Sequence, residues 1–458
     1  MVLNFPEIVL FVKRLIPSQL KKQPRSSILW FGVLVCAYLF VLNQESFSQT
    51  WSWKGAYVLK QGSSGYQGPV EIVVKDGLVQ KILPSESSQA PVFILPGFCD
   101  AYVTLGSNSL GGQRDKKETE EALNSLLQHG FTFVQSVADG SWLEEFAKNQ
   151  SKNGNFPQIK VTPPILISDS EELRNQSGKL SGYQVLKSEE EAMDAISSKS
   201  KKNLHLFLRY TQGDSFQIDG KLLYRMKAKS ENLGIELSVS TFGEEFANWE
   251  ALSSGVKILY HPIPETEFLA PVTRHLFQAH WGPMLGVYYN QKLVGTPEFK
   301  QEWSRLLSWS PSFKEKALPE DWISSLTGLS EKERSEAEKE YNSYLAFLKA
   351  RKNLSPRILL ASGAGYYLTF PGIGGWKELS ILSEIFGPEE ALRTASETTC
   401  SFLGAPHEGR IRTGGKAHLL IFQEDPLKGL EKLSSLRTII TEKKRTELKR
   451  SKQQGKPK

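Results

Sequence analysis

Residues 51–95 carry short apolar runs separated by polar breaks. Trp53 to Leu59, Val70 to Val74 and Leu78 to Ile82 read as strands, and Lys75-Asp76-Gly77 as a tight hairpin turn. Beyond them the pattern switches to alternating helix and strand, as a parallel α/β fold requires. Glu118 to His129 predicts an amphipathic helix capped by Gly130, and Phe131 to Val137 the strand that follows. Leu204 to Tyr210 predicts another buried strand. Lys221 to Leu233 predicts a helix closed by Gly234, with a strand over Ile235 to Thr241. The unit repeats as helix Phe246 to Ser253, cap Gly255 and strand Val256 to Tyr260, ending at His261. Arg357 to Ala361 is a late strand, and Gly387-Pro388-Glu389-Glu390 opens a helix with proline first and acids in its first turn. Two stretches fit less well. Asn149 to Ser200 is polar and weakly patterned. Trp303 to Leu354 is a charged insertion, with a helix over Ser330 to Arg351 read as solvated and braced by i,i+4 pairs. Trp303, Trp309, Phe313 and Trp322 lie nearby, either packing the insertion or offering an aromatic ligand platform.

One apolar run has no place in that alternation. Ile28 to Leu42 is uninterrupted, and Lys13, Arg14, Lys21, Lys22 and Arg25 precede it. The run with its flanks predicts a signal-anchor helix over about residues 27–43, a cytoplasmic leader and a body outside the cytoplasm. In a bacterium that means the periplasmic or cell-surface side. The alternative is a signal peptide cut after Ser46 or Ser48, which would secrete the body. The chain's 458 residues leave room for one large domain and one small one. The net charge of +6 is accounted for by residues 442–458, where eight basic residues meet two acids. That run reads as a solvated, disordered tail, so the pI says little about the folded body and nothing points to specific nucleic-acid binding. Of three cysteines, Cys36 lies in the apolar run, leaving at most one disulfide. Cys99 and Cys400 read as small buried hydrophobes.

The stretch Ile94-Leu95-Pro96-Gly97-Phe98-Cys99-Asp100-Ala101-Tyr102-Val103-Thr104-Leu105 resembles the first-strand signature of the amidohydrolase family, Leu-Pro-Gly-hydrophobic-hydrophobic-Asp-Ala-His-x-His-Leu. Gly409 to Phe422 is similar to the family's closing pattern, with His418 where an acid is usual, and Asp425-Pro426-Leu427 also fits. The resemblance covers roughly residues 53–430 and points to imidazolonepropionase- or prolidase-like metal-dependent hydrolases. It implies a (β/α)₈ TIM-like barrel over 98–403, interrupted by the insertion at about 303–354. It also implies a small composite β-sandwich made from residues 49–97 and 404–441.

By resemblance, ligands at the strand ends would hold one or two divalent metals that lower the pKa of bound water, and an aspartate would take the proton. Carried across residue by residue, those positions are mostly not ligands. The His-x-His pair falls on Tyr102 and Thr104, and the bridging lysine near Leu208-Arg209. The later histidines fall on Ser240, Phe242 and His261, and the aspartate on Gly363. Only His261 keeps a metal-binding side chain, and an arginine cannot be carbamylated as the family's lysine is. No nucleophile elbow, Walker loop or Cys-x-x-Cys occurs. His205, near the start of its strand, reads as lying on the stability face of the barrel. The expectation is an exported, membrane-anchored protein with no cofactor. It would be catalytically degenerate, binding a small molecule in the barrel mouth or serving as a scaffold. The alternative is an active hydrolase on amide or lactone substrates, with zinc held in a rebuilt site that uses His261, Tyr102, Arg209 and residues from the 303–354 insertion. The sequence does not give the oligomeric state.

Overall fold

A computed structural model of the chain describes residues 50–88, 90–107, 113–139, 142–151, 156–169, 182–197, 203–210, 216–302, 329–366 and 368–448. The anticipated leader and anchor, the four aromatic residues between 303 and 322, and residues 449–458 lie outside them. Among the described residues no helix is long and apolar enough to cross a membrane.

Strands β1 (Thr50–Leu59), β2 (Tyr66–Lys75), β3 (Leu78–Pro84) and β4 (Phe93–Pro96) come first. The β2–β3 hairpin turns on Asp76 and Gly77, with φ of 53° and 75°. Two left-handed residues match the right-handed twist of the flanking strands, and the Asp-Gly pair tolerates them.

Then follow β5 (Phe98–Val103), α1 (Lys116–Gln128), β6 (Phe131–Ser136), α2 (Trp142–Ser151), β7 (Gln158–Val161), β8 (Ile165–Ser168), β9 (Tyr183–Leu186), α3 (Glu189–Ser197) and β10 (Asn203–Phe207). After these come α4 (Gly220–Asn232), β11 (Glu236–Ser240), α5 (Glu245–Ser253), β12 (Ile258–Tyr260), β13 (His280–Gly282) and α6 (Leu285–Leu293). The weakly patterned stretch from 149 to 200 thus holds three strands. Each is only four residues long, and β7 lacks a buried face, too little for a period to register. All pairings among β5–β13 are parallel, in two sheets ordered β5-β6-β7 and β13-β12-β11-β10-β8-β9. Residues 358–364 join them. Leu359 N donates to Trp281 O at 2.8 Å, while Ala101 N donates to Leu360 O at 2.8 Å and Gly363 N to Tyr102 O at 2.9 Å.

Helices α7 (Glu331–Ala350), α8 (Ile373–Phe386), α9 (Pro388–Arg393) and α10 (Thr399–Phe402) precede β14 (Leu419–Phe422), β15 (Leu436–Ile440) and β16 (Arg445–Glu447). A seven-stranded sheet of order β16-β15-β14-β4-β1-β2-β3 draws on both ends of this sequence, with Leu420 opposite Leu95. Its strands make one hydrogen-bonded sheet, and residues from β1 to β4, β14 and β15 share one core, among them Val58, Ile72, Val79, Ile94, Leu419 and Ile440. It also takes in the first part of the basic run: Arg445–Glu447 is its edge strand, so the disordered reading of 442–458 fails there.

Two further expectations are corrected. Helix α7 has the anticipated charged start, with Ser330 and Glu333 forming a capping box. Its second half is not solvated, since Tyr341, Tyr344, Phe347 and Leu348 are buried. The Phe347 ring lies 5.7 Å from that of Trp281, and Tyr344 lies 5.1 Å from Tyr288. Second, Cys99 on β5 and Cys400 on α10 form a disulfide across 301 residues, both fully buried. A separation that long leaves no trace in cysteine spacing.

Cys400→Ser should cost about 2–5 kcal/mol, the usual worth of a native disulfide, measured by urea unfolding; peptide mapping without reductant should show the linked pair. Gly375→Ala in α8 separates two opposing effects. Alanine favours a helix by up to about 1 kcal/mol, but a Cβ there would lie 2.2 Å from the Phe131 ring. Overpacking should win, with a net loss of about 1–3 kcal/mol in thermal unfolding.

Candidate functional site

The carboxyl ends of the parallel strands bring most of the matched positions together, and bury them. Tyr102 near the end of β5 is fully buried. Its hydroxyl is hydrogen-bonded to Tyr366 OH at 2.9 Å, and its ring lies 4.9 Å from Tyr260, 5.5 Å from His205 and 6.2 Å from His261. Its backbone is fixed by Asp100, whose Oδ1 accepts from Tyr102 N at 3.1 Å and from Ser362 N at 3.0 Å. Burial raises Asp100 to about 6 despite those bonds. Thr104 donates its hydroxyl to Ala364 O at 3.2 Å.

Ser240, the last residue of β11, is engaged by His205. His205 Nε2 lies 2.8 Å from Ser240 Oγ, and Nδ1 lies 2.6 Å from Ser238 Oγ. Ser238 Oγ donates its only proton to Leu204 O, so Nδ1 carries the imidazole proton and Nε2 accepts from Ser240. Burial, with a smaller push from His261, lowers His205 to about 3, which keeps the ring neutral. His205 therefore belongs to this buried cluster and not to the opposite face of the sheet. The reading from strand position failed because β10 begins at Asn203 and ends at Phe207, so His205 sits mid-strand with its side chain inward.

Phe242 and His261 follow β11 and β12 with φ of 55° and 76°, an uncommon conformation for side-chain-bearing residues. Their rings lie 4.6 Å apart, and Phe242 also meets Phe207 at 4.8 Å. His261 is 2% exposed; Nδ1 is 3.1 Å from Tyr288 OH, while Nε2 has no hydrogen-bond partner. Burial lowers it to about 3 as well. Gly363 has φ of 67°, and a Cβ there would lie 2.7 Å from both Met284 Cε and Val287 Cγ2, so a side chain at that position meets both strain and collision. Arg209 follows β10 and is only half-buried; it makes none of the ring contacts described. Tyr366, Tyr288 and His205 are the members that sequence reasoning missed. No spacing marks them, because each enters from a different element.

The orphaned Nε2 of His261 is one donor of the kind a divalent metal takes. Around it stand phenols, a phenylalanine and His205, whose two nitrogens are both engaged by serine hydroxyls, and the described residues bring no trio of metal-type donors together here. At least three convergent ligands are needed, so these residues do not fit the metal that the resemblance implies. The described residues do include one trio of metal-type donors, Glu408, His418 and Glu442. It sits elsewhere in the fold, next to the start of β7.

No family model matches the sequence, and no curated protein matches it. Solved structures do. They include an amidohydrolase at 16% identity, covering 88% of this chain and 100% of the other, with TM-score 0.64. The A. niger ochratoxinase is 15% identical over 87% and 95%, with TM-score 0.61. The bottromycin amidohydrolase is 15% identical over 96% and 93%, with TM-score 0.61. This chain has the amidohydrolase fold. Its identity to these amidohydrolase structures is too low to carry their chemistry with it.

One buried acid sets the geometry of the helix that carries Tyr288 into this cluster. Glu378 on α8 is fully buried and accepts from Leu285 N at 3.1 Å and Gly286 N at 2.6 Å. It thereby fixes the start of α6, which carries Tyr288. Burial raises Glu378 to about 8, outweighing the two backbone donors. The folded value lies above the unfolded one, so its contribution is full below about 4.5 and is lost as pH rises through 8. Glu378→Gln should flatten the fall in melting temperature between pH 5 and 8, relative to wild type. An unchanged slope would show that Glu378 is not the group responsible.

Proposed function

We propose that this is an exported, membrane-anchored protein of amidohydrolase fold whose barrel no longer hydrolyses C–N bonds and acts as a binding or scaffold body. One observation carries the reading. Where the resemblance calls for a metal cage, the buried Tyr102, Tyr260 and His261 and the half-buried Tyr366 form a neutral, largely aromatic cluster. The finer architecture that goes with this reading is a (β/α)₈ barrel closed through residues 358–364, with the sheet from both ends as its companion domain. The Cys99–Cys400 disulfide supports export, because such bonds persist in oxidising compartments. Anchoring rests on the basic-flanked apolar run from Ile28 to Leu42. A small ligand at the strand ends would meet aromatic faces and the half-buried Arg209 rather than a hydroxide.

A second reading, an active hydrolase with a rebuilt site, is favoured by the unpartnered Nε2 of His261. The experiment that separates the two uses the full chain in detergent, purified without chelators. Zinc, manganese and iron content is compared between wild type and His261→Ala, alongside turnover on amide and lactone substrates. The binding reading expects identical metal content in both proteins and no turnover. Metal lost on His261→Ala, with hydrolysis lost in parallel, would establish the second reading.

A further inference from the structure

A different cluster lies where the seven-stranded sheet meets the amino-terminal ends of β6 and β7. His418, entering β14, is 3% exposed, and so is Glu408. Glu408 Oε2 comes within 2.8 Å of His418 Nδ1, but off the line a hydrogen bond needs, so both buried atoms lack a hydrogen-bond partner. Glu442 Oε1 lies 3.4 Å from His418 Nε2 and 2.6 Å from Lys416 Nζ. Gln158 Nε2, at the start of β7, donates to Glu408 Oε1 at 3.1 Å and to Glu442 Oε1 at 3.4 Å. One ligand atom from each of Glu408, His418 and Glu442 falls within 4.8 Å of the other two. A cavity of about 250 Å³ opens beside them, bordered by Thr132, Gln158, Lys416 and Lys443.

We propose that Glu408, His418 and Glu442 form a zinc-class divalent metal site that clamps this junction, separate from the barrel mouth. The argument begins with charge. An ionised carboxylate as buried as Glu408 is costly unless it is paired or coordinates a metal. Its neighbours are an amide and the His418 imidazole, which is a counter-charge only when protonated, and the lysine is committed to Glu442. Distance points the same way for two of the three. Metal–ligand bonds of about 2.0–2.2 Å place two donors on one ion roughly 3 Å apart, which is the spacing of Glu408 Oε2 and His418 Nδ1; Glu442 now faces Nε2 and turns to join them. One imidazole with two carboxylates suits zinc better than calcium or magnesium. The adjoining cavity has room for water to complete the coordination, and Lys416, 44% exposed, can swing to solvent when the ion takes Glu442. His418 is the residue that stands where the resemblance expects an acid, so the exchange supplies the nitrogen donor.

The test is calorimetric titration of EDTA-stripped full chain in detergent with zinc chloride, with the melting temperature followed in parallel. Wild type and His261→Ala should each take one equivalent and gain thermal stability. Glu408→Gln, which keeps the shape of the side chain, and His418→Asn should each weaken binding by at least about tenfold. Lys416→Met should tighten it, because a competing cation is gone. No binding by wild type, or binding that Glu408→Gln and His418→Asn leave unchanged, would overturn the proposal; the cluster would then be an imidazolium held by two carboxylates. Loss of zinc in His261→Ala alone would count against this site and equally against the metal-free reading of the barrel. Absence of zinc from wild type would leave that reading standing.

Discussion

The parallel part of the molecule depends on a seam between the first strand and a segment 260 residues later. Backbone hydrogen bonds from Ala101, Gly363 and Thr104 cross it. Asp100 stitches it from below, holding the amides of Tyr102 and Ser362 with one oxygen. The neighbouring residue adds the Cys99–Cys400 bond from the same strand to the last helix. Contacts that distant in sequence cost loop-closure entropy before they return anything. A buried acid with two fixed donors and a covalent link are suitable counterweights. The seam also fixes Tyr102, the residue on which the ring cluster at the strand ends is built.

That cluster fills the strand ends with rings and without charge. Carboxylates in a dry site would repel one another and carry a desolvation cost that only a cation offsets. Phenols, a neutral imidazole pair and a phenylalanine carry no such cost. They interlock edge to face at 4.9–6.2 Å, and each hydroxyl needs only one neighbour. Burial keeps both histidines there uncharged, and serine and tyrosine hydroxyls are their hydrogen-bond partners.

Much of this was legible beforehand. The Asp76-Gly77 hairpin, helix α1 with Gly130 behind it, and the α4–β11 and α5–β12 units follow from capping residues and periodicity, which are local signals. What was not legible depends on distant partners. Four-residue strands between 158 and 186 have no periodicity to read. The buried face of α7 is hidden among lysines and glutamates that occupy its other sides. The disulfide joins cysteines whose only relation is spatial. At the candidate site the resemblance located Tyr102, Ser240, Phe242, His261 and Gly363, but His205, Tyr288 and Tyr366 arrive through tertiary packing.

Gly363 carries one further consequence. Its backbone is left-handed, and Met284 and Val287 already fill the space a side chain would need. Installing an acid there would demand smaller residues at both neighbours and a changed backbone, several steps with no benefit until the last. A carboxylate at this position is therefore out of reach of any single substitution, whatever the residues around it could do with one.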